Sequence, residues 1–231
     1  MGVLRALALA LRQLGDPRLR RPLAFGLGLT LGAFVLVWIG LGWALTHTRF
    51  FENTWLDFGA GALGGLALAG LSIVLFPSVV AACVGLFLEE VAAAVEARHY
   101  PGLPAPVRRG ALAEIGGTLG LVALALVANL LVLPLYLVPG LNLAVFLATN
   151  GFLLAREYVT MSLARRVDSP HVHLIWRERR GQAWLAGAAF AALSAVPLVN
   201  LVAPVVAVAT ATHLVEAWRR TAANRPNGQV T

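Results

Sequence analysis

Hydrophobic positions along this chain come in long blocks, and polar positions collect between them. Apolar blocks cover residues 22–46, 55–88, 111–138, 141–155, 182–196 and 198–218. Each is long enough for a helix, and none alternates residue by residue as a barrel strand does. A helix satisfies its own backbone within one segment, so in lipid these blocks predict helices. The first two exceed the ~20 residues that cross a ~30 Å hydrocarbon core.

The polar positions orient these helices. All 18 basic residues are arginine, and 17 of them fall into four groups. Arg5, Arg12, Arg18, Arg20 and Arg21 precede the first block, and Arg98, Arg108 and Arg109 follow the second. Arg156, Arg165, Arg166, Arg177, Arg179 and Arg180 separate the fourth block from the fifth, and Arg219, Arg220 and Arg225 end the chain. Alternate crossings put all four groups on one side and leave only Arg49 on the other. By the positive-inside rule both termini are expected in the cytoplasm.

Composition agrees: 59% of residues are hydrophobic, 13% are charged, and mean hydropathy is +0.78. Soluble domains carry about 25% charge, so a soluble fold is excluded. The net charge of +7 is accounted for by topology and anionic lipid, and no nucleic acid partner is expected. Cys83 is the only cysteine, which excludes an internal disulfide and a cysteine-based metal cluster. At the N-terminus, Arg5 and Arg12 share a helix face opposite Leu and Ala. The basic run 15–21 that follows lacks a small-residue cleavage site, so a short interfacial helix is expected instead of a signal peptide.

One internal similarity bears on topology. Val138-Pro139-Gly140-Leu141-Asn142-Leu143 matches Val196-Pro197-Leu198-Val199-Asn200-Leu201, a shift of 58 residues. Proline stops the incoming helix, and the asparagine is expected to cap the outgoing one. Neither tip carries a charge, and the block 182–196, at 15 residues, spans roughly 22 Å as a helix. Two re-entrant hairpins that turn inside the membrane account for both facts; two ordinary spanning pairs are the alternative. The second block is expected to continue past the membrane as one helix, carrying Glu89, Glu90, Glu96 and Arg98. Gly28/Gly32, Gly61/Gly65 and Gly116/Gly120 are spaced for close helix contact.

Three stretches carry a resemblance to a known family. They are Gly15-Asp16-Pro17-Arg18-Leu19-Arg20-Arg21, the Pro-x-x-Asn tips at 139–142 and 197–200, and Asn150-Gly151-Phe152-Leu153-Leu154-Ala155-Arg156-Glu157-Tyr158. With them the chain resembles the CysZ-type sulfate permeases, which are grouped with the etoposide-induced membrane proteins. The resemblance implies an all-α integral membrane protein of two long transmembrane helices plus two half-penetrating helical hairpins, here with the N-terminal interfacial helix. On this plan 1–231 is one membrane domain. It comprises the interfacial helix and basic turn 1–21, long helices 22–46 and 55–88, hairpins 111–155 and 182–218, and the cytoplasmic tail 219–231. The resemblance further implies that a Gly-Leu-Arg-Arg turn binds sulfate. Leu19, Arg20 and Arg21 match that turn, and Arg18 takes the glycine position.

The residues themselves also support an anion site there. Asp16 is a good N-cap and Pro17 a good first helical residue, while Pro22 disfavours helical geometry at Arg21. Backbone N–H groups are therefore expected to stay unpaired beside three guanidinium groups, an arrangement suited to a tetrahedral oxyanion. Phosphate contact by arginines serving as topology anchors is the alternative. Asn142, Asn150, Arg156, Glu157 and Asn200 are candidates for an ion path or for structural polar contacts. His171 and His173 near Asp168 match no metal-site spacing, and His213 is expected to pair with Glu216 or with solvent. No metal, cofactor or enzymatic constellation is expected.

These observations together predict a bacterial inner-membrane anion permease, with sulfate or a similar oxyanion carried by a passive or weakly coupled route. Anionic lipids and further copies of the chain are its expected partners. A non-transporting scaffold and a protein that binds anionic lipid are the alternatives.

Overall fold

A computed structural model describes residues 1–48, 54–107 and 110–223. Helix makes up 86% of the structure, and no strand occurs among the described residues. Three helices contain stretches long and apolar enough to cross a membrane: Pro17–Leu45, Thr54–Phe76 and Ile115–Leu137. Arg49, Arg108, Arg109 and Arg225 lie outside the described residues.

Helix α1 (Val3–Gln13) buries Ala6, Ala10 and Gln13, positions four and three apart that share one face. This small-residue stripe lies against the last helix of the chain. A tight turn follows, and α2 (Pro17–His47) begins with Asp16 as N-cap and Pro17 at the first helical position. Pro22 does not break α2, which runs through it and starts five residues before the apolar block. Pro22 is the sixth residue of the helix, so its missing N–H removes a single intrahelical bond, that to the Arg18 carbonyl, and the helix continues past it.

The helix α3 (Thr54–Gly85) packs along α2. A Cβ on Gly26 would meet Val84 Cγ2 at 2.6 Å and its Cα at 3.0 Å, so this glycine permits the closest approach near the base of the pair. Further along, Trp38 Nε1 donates to Ser72 Oγ at 3.1 Å, and Phe34 meets Phe76 edge-on. The expected continuous extension through Arg98 does not form. The chain turns at Leu86 and Phe87, whose N–H groups donate to Cys83 and Val84, and a separate α4 (Leu88–His99) follows. This break lets α4 bury Leu88, Val91, Ala92 and Val95. The pairs Gly28/Gly32, Gly61/Gly65 and Gly116/Gly120 make no close contact: a Cβ on any of them meets nothing within 4 Å.

The first hairpin joins α5 (Ala111–Val132) through a 3₁₀ turn (Leu133–Leu137) to α6 (Asn142–Ala164). Its tip is a type II turn in which Leu141 N–H donates to Val138 O at 3.2 Å. Pro139 and Gly140 occupy the central positions, with Gly140 at φ +85°. That left-handed conformation suits glycine, because a Cβ there is strained. Asn142 is the first helical residue of α6 and does not cap it; Leu141 holds the cap position without a side-chain bond.

α7 (Ser169–Ser194) starts thirteen residues before the apolar block at 182 and draws Pro170, His171 and His173 into helix. It crosses α6 closely. A Cβ on Gly151 would lie 3.0 Å from the Ala188 backbone, and one on Gly187 would run into the Gly151 carbonyl and Ala155. A single turn, α8 (Pro197–Asn200), leads to α9 (Ala203–Ala223). Asn200 ends that turn and does not cap α9. Every residue from 203 to 216 is buried, and α1, α4, α6 and α7 all pack on α9. The centre of the molecule is therefore a helix rich in alanine, valine and threonine, while the most apolar helices present their side chains outward. In lipid, apolar side chains gain little from protein burial, so small residues that allow backbones to approach decide the interior.

Candidate functional site

The turn before α2 is more tightly closed than its sequence predicts. Asp16 Oδ1 accepts from Arg18 N–H at 3.0 Å. The Asp16 carbonyl accepts from Leu19 and Arg20 N–H at 3.0 and 3.1 Å, and Pro17 has no N–H to offer. The expected row of unpaired backbone donors is thus absent, because Asp16 takes them. Leu19 points inward and is fully buried in the core. Arg18, Arg20 and Arg21 are exposed; none of their side chains forms an ion pair among the described residues, though the Arg18 charge also acts on the Asp16 carboxylate.

Asp16 also accepts from Arg98 Nη1 at 2.6 Å, which clasps the start of α2 to the end of α4. The Arg18 amide and the Arg98 guanidinium hold the Asp16 carboxyl below the usual carboxylate range. Beside this clasp lies a polar cluster that sequence reasoning missed. Tyr100 OH meets His213 Nδ1 at 2.7 Å, and His99 stands edge-on to His213 with ring centroids 4.9 Å apart. Arg220 lies over the Tyr100 ring. Burial, then the Arg98 charge, push His99 below the ordinary histidine range. His213 therefore does not pair with Glu216.

Glu216 belongs instead to an ion network, also unforeseen. Arg165 reaches Glu96 at 3.1 Å and Glu89 at 3.2 Å. Arg166 bonds Glu96, with Nε to Oε1 at 3.0 Å, and lies 3.7 Å from Glu216. Glu216 in turn accepts from Arg219 at 2.9 Å. Three carboxylates and three guanidinium groups from α4, α9 and the end of α6 thus balance one another. Arg166 also donates to the Pro104 carbonyl at 2.7 Å, which ties down the loop that leaves α4. The only sequence signal was three acidic residues in the arginine-rich segments. Apart from Arg219 and Glu216, which are three apart on one helix, nothing in their spacing assigns the partners, which lie between 50 and 76 residues apart.

The remaining candidates stay separate. Asn150 Nδ2 donates to the Phe146 carbonyl within its own helix at 3.0 Å. Arg156 lies over the Trp176 ring, 5.1 Å from its centroid, and Glu157 is exposed. Asn142 is exposed at the first hairpin tip and Asn200 half-buried at the second. His171 bonds Asp168 on the surface. Among the described residues no group of three or more metal-ligating side chains comes together.

A family model described as sulfate transporter CysZ/etoposide-induced protein 2.4 matches residues 6–204. The chain belongs to this family. The match runs from α1 into α9, so it covers the Asp16–Arg21 turn, both hairpin tips and the Asn150–Tyr158 stretch. No curated protein sequence matches the chain. Membership in the CysZ/etoposide-induced family points to a role connected with membrane transport.

Proposed function

We propose that the chain is a bacterial inner-membrane permease for a tetrahedral oxyanion, sulfate in the first instance, by a passive or weakly coupled route. The observation that carries this reading is the first turn of α2. Arg18, Arg20 and Arg21 project there without ion-pair partners among the described residues, Arg18 with Asp16 in its field, at the positive end of a 31-residue helix. Cations at a helix N-terminus oppose the helix dipole, whereas an anion there is favoured. An oxyanion held by these guanidinium groups removes the conflict, and bidentate arginine geometry suits its oxygens. With Asp16 occupying the backbone donors, recognition falls to the side chains alone.

In this reading the arginine-rich end faces the cytoplasm, both termini included. α2 and α3 span, and the two Pro-x-x-Asn hairpins enter half-way and line a path with Asn142 and Asn200. So few spanning elements enclose little volume, and further copies of the chain complete the wall. Uptake of radioactive sulfate into proteoliposomes is the test. Flux above empty liposomes is expected, with at least a fivefold loss in Arg20→Gln/Arg21→Gln. Absence of flux at several pH values would overturn the reading.

A further inference from the structure

Between α7 and α9, at their arginine-rich ends, lies a cavity of about 270 Å³. Its walls include Ile175, Trp218 and Ala222, and Glu178, Arg179 and Arg219 stand around it. The volume falls just below the ~300 Å³ at which pockets for small organic molecules begin. It therefore suits a head group or the start of a chain more than a whole amphiphile.

The charges narrow the ligand. Arg179 is half-buried and has no ion pair or hydrogen bond among the described residues. A partly desolvated guanidinium without an acceptor is costly, so this site favours an anion. Arg219 is held on one side by Glu216 at 2.9 Å, and the rest of its guanidinium fork is unclaimed. Glu178, on the same rim, works against a second negative charge. A head with a single negative charge next to an apolar chain fits better than a free dianion.

The depth narrows it further. Trp218 Nε1 donates to Gln182 Oε1 at 2.7 Å, where the polar first half of α7 gives way to its apolar second half. Trp176 and Trp184 lie on the same helix within two turns. Indole rings collect at the headgroup level of membranes, where one edge is wet and the other apolar. The geometry points to a binding site for one membrane phospholipid, its phosphodiester on Arg179 and Arg219 and the start of an acyl chain against Trp218 and Ile175. This site is independent of the oxyanion turn and does not rest on sulfate transport.

The test is native mass spectrometry of the full chain, delipidated in gentle detergent and titrated with phosphatidylglycerol. Wild type is expected to take one lipid per chain saturably. Arg179→Gln removes the free charge and is expected to weaken binding about tenfold, since hydrogen bonds to charged groups are among the strong ones. Ala222→Trp, at an exposed position near the end of α9, fills the cavity and is expected to abolish binding. Arg177→Gln, exposed and outside the cavity, leaves binding unchanged. The assignment is overturned if wild type shows no saturable lipid, or if Arg179→Gln and Ala222→Trp bind as wild type does. Displacement of the lipid by excess glycerophosphoglycerol, the singly charged diester head without its chains, also overturns it, because the head alone would then be the ligand.

Discussion

Gly187→Ala probes the close crossing of α6 and α7. On an open helix face this change is stabilising by up to about 1 kcal/mol, because glycine loses more backbone freedom on folding. At Gly187 the sign should reverse. The new methyl would meet Ala155 Cβ at 2.7 Å and Ala155 N at 2.8 Å, and would overlap the Gly151 carbonyl. Ordinary contact begins at 3.4 Å, so α7 has to withdraw by about 0.7 Å to clear Ala155 Cβ and by more to clear the Gly151 carbonyl. No rotamer change relieves this, since the obstructing atoms are backbone and an alanine methyl. A gap of 0.5–1 Å forfeits roughly a quarter to a half of each dispersion contact along the seam. That seam includes Phe190, buried edge-on against Tyr158. Overpacking of this kind costs about 1–3 kcal/mol, and the backbone obstruction places Gly187 at the upper end. After the propensity gain, a net loss of about 2 kcal/mol is expected. Gly181→Ala is the control, since a Cβ there meets nothing within 4 Å. Unfolding of both variants in mixed micelles by titrated denaturing detergent, followed by circular dichroism, measures the difference. If Gly187→Ala is as stable as Gly181→Ala, the close crossing of α6 and α7 is refuted.

Other expectations follow from the same structure. Glu96→Gln leaves Arg165 and Arg166 short of their shared buried carboxylate and should cost about 3 kcal/mol, read as a lowered thermal midpoint. Glu89→Gln should cost under about 1 kcal/mol, because the Glu89 side chain is 72% exposed against 9% for Glu96. The depressed Asp16 pKa means that its contribution is present above the unfolded-state value near 3.9 and fades as pH falls through and below it. Protection of the Arg18–Arg20 amides against hydrogen exchange, taken relative to the intrinsic rate at each pH, should fall in wild type as pH drops below about 4, and Asp16→Asn should lose that dependence. Single cysteines at the exposed Leu141 and Leu198, in a Cys83→Ala background, test the hairpin depth. Half-penetrating tips should resist membrane-impermeant thiol reagents applied from the periplasm, and labelling from that side would establish full crossing.

The hydrophobic blocks by themselves determined that the chain is helical and belongs in a membrane. The arginine groups determined which ends of the helices belong together, and the structure brings Arg98, Arg165, Arg166, Arg219 and Arg220 to one end accordingly. Both signals are local: hydropathy and charge act on each segment whatever its neighbours do. The Pro139-Gly140 turn was legible for the same reason, since its backbone follows from two adjacent residues. Partners were not legible. Asp16 reads as an N-cap in sequence, but only the fold shows that its carbonyl and carboxylate together consume the donors an anion was expected to use. Glu96, Glu216, Arg165 and Arg166 read as separate surface charges until α4, α6 and α9 converge. Gly187 looks like one glycine among 23, and only the crossing of α6 and α7 makes it indispensable. The most hydrophobic helices proved to be the outermost and the alanine-rich α9 the centre. With lipid as the surrounding solvent, burial is decided by how closely backbones can approach, and that is a property of pairs of helices.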